Sequence, residues 1–263
     1  MTLSLAAEPA LGYLLASLRI LTWLFLVPPF NGRSMPAPAK IVLSVGLSLG
    51  IAPSVIDAGV PTGSVQLVVV ALTQVVIGAL LGFVAQLLLG VIAAAGSLVD
   101  VFGGFALAAA YDPLAQSVNT IFGRFHQMLA TMLLFATGGH LLVIGGLLKT
   151  FEVLPLGETP RFEGSPTLLI TAFSMFFMTA VQIALPMIAV LFVADLGLAL
   201  MTKVAPQMNA LGVMLPAKIG MVLLLIGFSF PMLPEVTARL VDLVNESAAA
   251  IAGQAGSGGT GGG

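Results

Sequence analysis

The sequence predicts an all-α, polytopic membrane-type protein made of long kinked helices and helical hairpins. Three observations predict it. Mean hydropathy is +1.12 with 59% hydrophobic residues, more apolar surface than a domain of this size can bury in water. Only 8% of residues are charged, against about 25% in soluble proteins. The apolar residues also gather into runs of bilayer-spanning length. The 263 residues allow one domain, and a net charge of -2 provides no basic field for nucleic acid and no acidic tail. With no cysteine there is no disulfide and no thiolate metal or redox chemistry.

The N-terminus carries Glu8 ahead of its apolar run and lacks a basic leader, so it reads as a retained helix rather than a cleaved signal. The first run is Leu11 to Val27, with Arg19 inside it. An Arg near a helix centre costs roughly 2.5 to 3.5 kcal/mol on insertion scales. It is therefore expected to face protein, water or an acid, or to snorkel to an interface. Pro28, Pro29, Pro36 and Pro38 end that helix, with Arg33 and Lys40 flanking the break. A second run, Ile41 to Ile56, holds Gly46 and Gly50 at a spacing that lets helices approach closely.

The third run, Val65 to Val99, is uncharged and would reach roughly 50 Å as one helix, so it must tilt, bend, form a hairpin or leave the bilayer. Its Gly78, Gly82, Gly90 and Gly96 make a small face suited to helix packing. Asp100 to Asn119 is apolar but interrupted by Gly103, Gly104 and Pro113. Too broken to span, it belongs inside protein or against a water-filled cavity. A fourth run, Gln127 to Leu148, includes His140, and the polar stretch Lys149 to Pro166 follows.

Run five, Thr167 to Leu200, is again overlong, with Pro186 expected to kink it. Then comes a polar elbow, Asp195 to Ile219, holding Asp195, Lys203, Asn209 and Lys218. Run six is Ile219 to Phe230. Pro38 and Pro216 each open a Pro-Ala-Lys-Ile phrase, suited to a helix start. Glu235 to Ile251 places Val236, Leu240, Leu243 and Val244 on one stripe, an amphipathic terminal helix. The tail from Gly253 is flexible linker. Lys and Arg counting puts both termini outside and the elbow on the cytoplasmic side.

Catalytic patterns do not assemble. Ser97 and His140 sit in no nucleophile frame, and Asp100, Asp112 and Asp195 sit in no aspartyl-protease frame. There is no phosphate-binding loop or dinucleotide fingerprint, and His126 and His140 without cysteine make no metal site. A non-enzyme without cofactor is the reading. A small-solute secondary transporter would show related halves around a midplane site; a pore subunit would show overlong Gly- and Ala-faced helices and an irregular apolar plug. The second pattern fits better.

The phrases Asp195-Leu196-Gly197, Lys203-Val204-Ala205-Pro206-Gln207-Met208-Asn209 and Pro216-Ala217-Lys218-Ile219 resemble the signature of the FliR/SctT family of type III export-gate subunits. Arg19 with Pro28-Pro29-Phe30, Pro36 and Lys40 resembles that family's opening. Ile77-Gly78, Gly82-Phe83, Asp100 with Gly104-Phe105-Ala106, Asp112-Pro113 and Gly138-Gly139-His140 follow in the family's order. The resemblance spans about residues 10 to 245. One departure is Gln74, four residues before Gly78, where the resemblance implies a Glu.

The resemblance implies a subunit of a closed helical assembly with FliP-like and FliQ-like subunits, whose pore carries unfolded proteins outward through the bacterial inner membrane at the flagellar basal body. Virulence type III secretion is the alternative. It divides the chain into a FliP-like part (1–166), a FliQ-like hairpin (167–234), an amphipathic helix (235–252) and a disordered tail (253–263). It implies a pore plug over about 103–119, where Phe102, Gly103, Gly104, Phe105, Leu107 and Tyr111 have the character of a seal. It also implies that the elbow, with Lys203, Pro206, Gln207, Asn209 and Lys218, faces a FlhB-like partner. The resemblance implies membrane lipid around part of the assembly and no nucleic-acid partner.

Overall fold

Uncharged runs of Leu, Val, Ile and Ala away from water must satisfy their own backbone polar groups, which a helix does within one segment. The computed structural model describes residues 2–32, 35–51, 63–105, 120–158, 165–204 and 210–256. Among the described residues all regular structure is helical: α1 (Thr2–Leu26), α2 (Ala37–Leu49), α3 (Ser64–Leu89), α4 (Val91–Phe102), α5 (Ile121–Ala136), α6 (Gly139–Val153), α7 (Ser165–Val204), α8 (Ala210–Ser229), a 3-10 turn (Phe230–Met232) and α9 (Leu233–Gly256). Four stretches within them are long and apolar enough to cross a membrane: Pro9–Leu26, Ser64–Leu89, Pro166–Val204 and Pro216–Gly253.

Several sequence boundaries move. The overlong third run is two helices, α3 and α4, parted at Gly90. The fourth run is likewise divided, at Thr137 and Gly138, where Gly138 takes a left-handed φ of 73° that ends the helical path. Helix α4 carries Asp100 and Phe102, so the irregular stretch starts later than its composition implies. Pro216 lies inside α8 rather than at its start, because neighbouring helices and local adjustment accommodate an internal proline. Helix α7 continues through Pro186 for 40 residues, roughly 60 Å, twice the roughly 30 Å of a hydrocarbon core. Helix α9 continues past the expected start of the tail to Gly256.

The chain divides into two compact units. The first contains α1, α2, α3, α6, the beginning of α7 and α9 from Arg239. Here α1 packs on α2 and α3, burying Ile20, Trp23, Leu24, Ile77, Leu81 and Leu88. Gly78 makes this possible: a Cβ there would run into the backbone carbonyl of Arg19. Gly46, by contrast, meets nothing within 4 Å among the described residues, so the close approach expected of it is not made by them. Lys40 is buried with its ammonium 4.7 Å from the centre of the Phe25 ring.

The second unit contains α4, α5, α7 from Ser174, α8, the 3-10 turn and the start of α9. Its core joins Val99, Phe122, Met187, Leu191, Val222 and Ile226. Met187 and Leu191 on α7 share that core with Val222 and Ile226 on α8, and Asp195 of α7 pairs with Lys218 of α8, so the two consecutive helices pack on each other as a hairpin. The other faces of that hairpin are apolar and exposed, with Phe177, Val193, Leu224 and Phe228 each more than half exposed, as suits lipid or further protein.

Candidate functional site

The site lies in the second unit, where α4 ends, α5 begins and the α7–α8 hairpin passes. The first four N–H groups of a helix have no partner within it, and Thr120 gives α5 no side-chain cap. Asp100, on α4, supplies one. Its carboxylate accepts from Phe122 N at 3.1 and 3.0 Å and from Gly123 N at 3.0 Å. Only 1% of this residue is exposed. A buried anion at a helix N-terminus is stabilised both by these donors and by the helix dipole.

Around it, Ser97 Oγ lies 3.2 Å from Thr120 Oγ1 and donates to Ala93 O at 3.1 Å. His126 Nδ1 lies 2.8 Å from Phe122 O. Gly96 and Gly123 allow the two helices this closeness, since a Cβ at Gly123 would meet Ser97 Oγ and one at Gly96 the Phe122 carbonyl. These contacts tie the end of α4 to the start of α5.

The other end of the same dipole logic is met by Lys218. It is buried on α8, pairs with Asp195 Oδ1 of α7 at 2.6 Å, and donates to Phe102 O at 3.3 Å. That carbonyl is one of the last four of α4, which lack partners within the helix; a cation there is favourable. Gly103 sits beneath, where a Cβ would come within 2.9 Å of Val222 Cγ2. The Asp195 side chain is 36% exposed, the accessible half of the pair.

The sequence-derived residues are distributed as follows. Phe102 is partly exposed, and Gly103 and Gly104 are buried. Gly104, at φ +84°, turns the chain away from α4 in a conformation only glycine adopts freely. Phe105 packs edge to face on Phe122, ring centroids 4.9 Å apart, against the core of the unit. Leu107 and Tyr111 lie outside the described residues, as do Pro206, Gln207 and Asn209. Lys203 is exposed on the last turn of α7. Lys218, the other elbow lysine, is buried and reaches Asp195 and the Phe102 carbonyl, since a buried lysine must find acceptors.

The first unit holds a matching arrangement. Arg19 is fully buried. Its Nε donates to Gln74 Oε1 at 2.7 Å, Nη2 to Leu154 O at 3.0 Å, and Nη1 reaches Thr150 O and Oγ1 at 3.4 Å. The guanidinium also lies 4.0 Å from the centre of the Phe151 ring. Thr150 O and Leu154 O stand at the C-terminal end of α6, so here too a buried cation completes a helix end. Gln74 Nε2 donates onward to Leu156 O at 3.4 Å.

Sequence reasoning singled out Arg19, Asp100, Asp195 and Lys218 as charges in apolar surroundings but did not pair them. Ser97 and Thr120 carried no signal beyond their type. The usable clue was position, since Asp100 stands just before the glycines that end α4.

The sequence model of the family described as bacterial export proteins, family 1, matches residues 10–244. Among curated relatives, the flagellar biosynthetic protein FliR of Escherichia coli K12 is 30% identical over 237 residues, covering 87% of this chain and 91% of that protein. Flagellar biosynthetic protein FliR of Pectobacterium carotovorum is 31% identical over 222 residues, 84% of this chain and 85% of that protein. Surface presentation of antigens protein SpaR of Salmonella typhimurium is 26% identical over 239 residues, 90% and 88% of the two chains. With the match running from α1 into α9, the chain belongs to the bacterial export proteins, family 1.

Proposed function

We propose that this chain is a membrane-embedded subunit of the flagellar protein export gate, assembling with FliP-like and FliQ-like subunits in the inner membrane into a pore for unfolded flagellar proteins. It serves as a structural part of the conduit rather than as an enzyme. Family membership over nearly the whole chain is the observation that carries the reading. The exposed apolar faces of α7 and α8 support it, because they offer surface to neighbouring subunits as well as to lipid.

Within that assembly the stretch 103–119 serves as the plug. Support comes from the helices on either side, where Asp100 ties the end of α4 to the start of α5. The hairpin's turn, with exposed Lys203, serves as the docking rim for a FlhB-like partner.

The test is co-expression with FliP-like and FliQ-like subunits and native mass measurement. One stable complex is expected; a monodisperse monomer that transports a small solute sinks the reading. For the plug, deleting Gly103 to Ala110 is expected to raise single-channel conductance, and an ion leak left at background removes that role. Virulence secretion is the second reading, favoured by the likeness to SpaR. Restoration of swimming to a strain lacking its own flagellar subunit separates the two.

A further inference from the structure

Among the described residues of this site, the Lys218 side chain on α8 meets both Asp195 on α7 and Phe102 O at the end of α4. Its ammonium has three donors and no acceptor, so one buried group holds a carboxylate and a helix-end carbonyl at once. Directly below, the α4 terminus rests on α8 through Gly103 and Val222. Beyond it, Phe105 is seated on Phe122.

A displacement of α7 against α8 therefore changes what Lys218 can offer Phe102. Gly103 and Gly104 carry no side chain to hold the α4 terminus independently. Without Lys218, the Phe102 carbonyl loses the donor that reaches it from α8.

We propose that Lys218 is a positioning residue that couples the α7–α8 hairpin to residues Phe102–Phe105, so that movement of the hairpin releases or resets the end of α4. This rests on the export reading above, since it assigns the control of that same site. A simple internal ion pair would need only Asp195 and Lys218; the coupling needs the lysine end at position 218, where it can reach Phe102 O.

The chain has no native cysteine, so a Gly103→Cys, Val222→Cys pair reports the seating of the α4 terminus by its disulfide yield. The measurement uses the full complex in membranes, with its amount checked by native mass and with protein export and ion leak read in parallel. High yield is expected with Lys218 present and with Lys218→Arg, which keeps a cation and donors. A several-fold fall in yield, with raised leak and reduced export, is expected for Lys218→Met.

The exchanged pair Asp195→Lys with Lys218→Asp decides the mechanism. It restores the ion pair but leaves Phe102 O without its donor, so complex amount should recover while disulfide yield stays low. Recovery of both overturns the coupling and leaves an ordinary structural pair. Unchanged yield in Lys218→Met also overturns it, and a fall in yield without any change in leak or export removes its control over the site. Should deletion of the gene leave export intact, the export reading fails, while the disulfide yields still decide whether Lys218 seats the α4 terminus.

Discussion

The Nε of Arg19 donates to the Oε1 of Gln74 across 2.7 Å, so a fully buried cation on α1 is met by a neutral amide from α3. The remaining guanidinium donors turn to Thr150 and Leu154 at the end of α6. A carboxylate at position 74 would turn the first of these bonds into an ion pair while giving up the longer bond to Leu156 O. Gln74→Glu is expected to stabilise the protein by about 1 kcal/mol. Gln74→Leu, which strands a donor of Arg19, is expected to cost about 2 to 4 kcal/mol. Thermal unfolding of the purified complex in detergent measures both, and a lower midpoint for Gln74→Glu than for the parent contradicts this account.

Position 78 gives a steric prediction. A Cβ there meets the Arg19 carbonyl, which is backbone and cannot swing aside, so Gly78→Val is expected to push α1 from α3 at a cost of about 1 to 3 kcal/mol or more. Gly46→Ala meets nothing within 4 Å and is expected to be neutral or stabilising by up to about 1 kcal/mol through helix propensity. Expression level and unfolding midpoint compared across the two variants provide the check.

Asp100 caps a helix it does not belong to. Replacing it with Asn retains an acceptor but removes the charge at the α5 N-terminus, expected to cost about 1 kcal/mol. Asp100→Ala leaves the Phe122 and Gly123 amides without their partner and is expected to cost about 2 to 3 kcal/mol. Hydrogen exchange at those two amides should accelerate in the same order; unaltered protection in Asp100→Ala would mean that the carboxylate does not hold them.

The two lysines flanking the hairpin's turn should part company. Lys203 is exposed, and Lys203→Glu is expected to leave unfolding within about 0.5 kcal/mol of the parent while weakening crosslinking to a FlhB-like partner. Lys218→Glu sets two carboxylates against each other beside Asp195 and is expected to cost about 3 to 5 kcal/mol. Equal loss of stability in both variants would show that burial does not distinguish them.

Helix identity was legible along the chain because hydropathy and the 3.6-residue period are properties of sequence neighbours. Of the stripe Val236, Leu240, Leu243 and Val244 on α9, Leu240 and Val244 are buried and the other two half-buried, with Arg239, Asp242 and Glu246 exposed. Break points were less legible. Gly90 and Gly138 divide runs that read as continuous, since an apolar count does not register a single backbone turn. Of the residues predicted for the plug, Phe105 packs on Phe122 in the core; aromatic character suits a seal and a core equally well.

By itself the sequence determined the membrane class, the helical architecture and the likeness to an export family. Tertiary structure alone decided what each buried charge does. Arg19 serves the end of α6 across 131 positions, Lys218 the end of α4 across 116, and Asp100 the start of α5 across 22. The physical reason is common to all three. Helix termini leave unpaired N–H and C=O groups, and in an apolar interior those partial charges need a partner as much as a stray ammonium, guanidinium or carboxylate does. Which terminus meets which charge depends on how the helices pack, and no local pattern of residues records it.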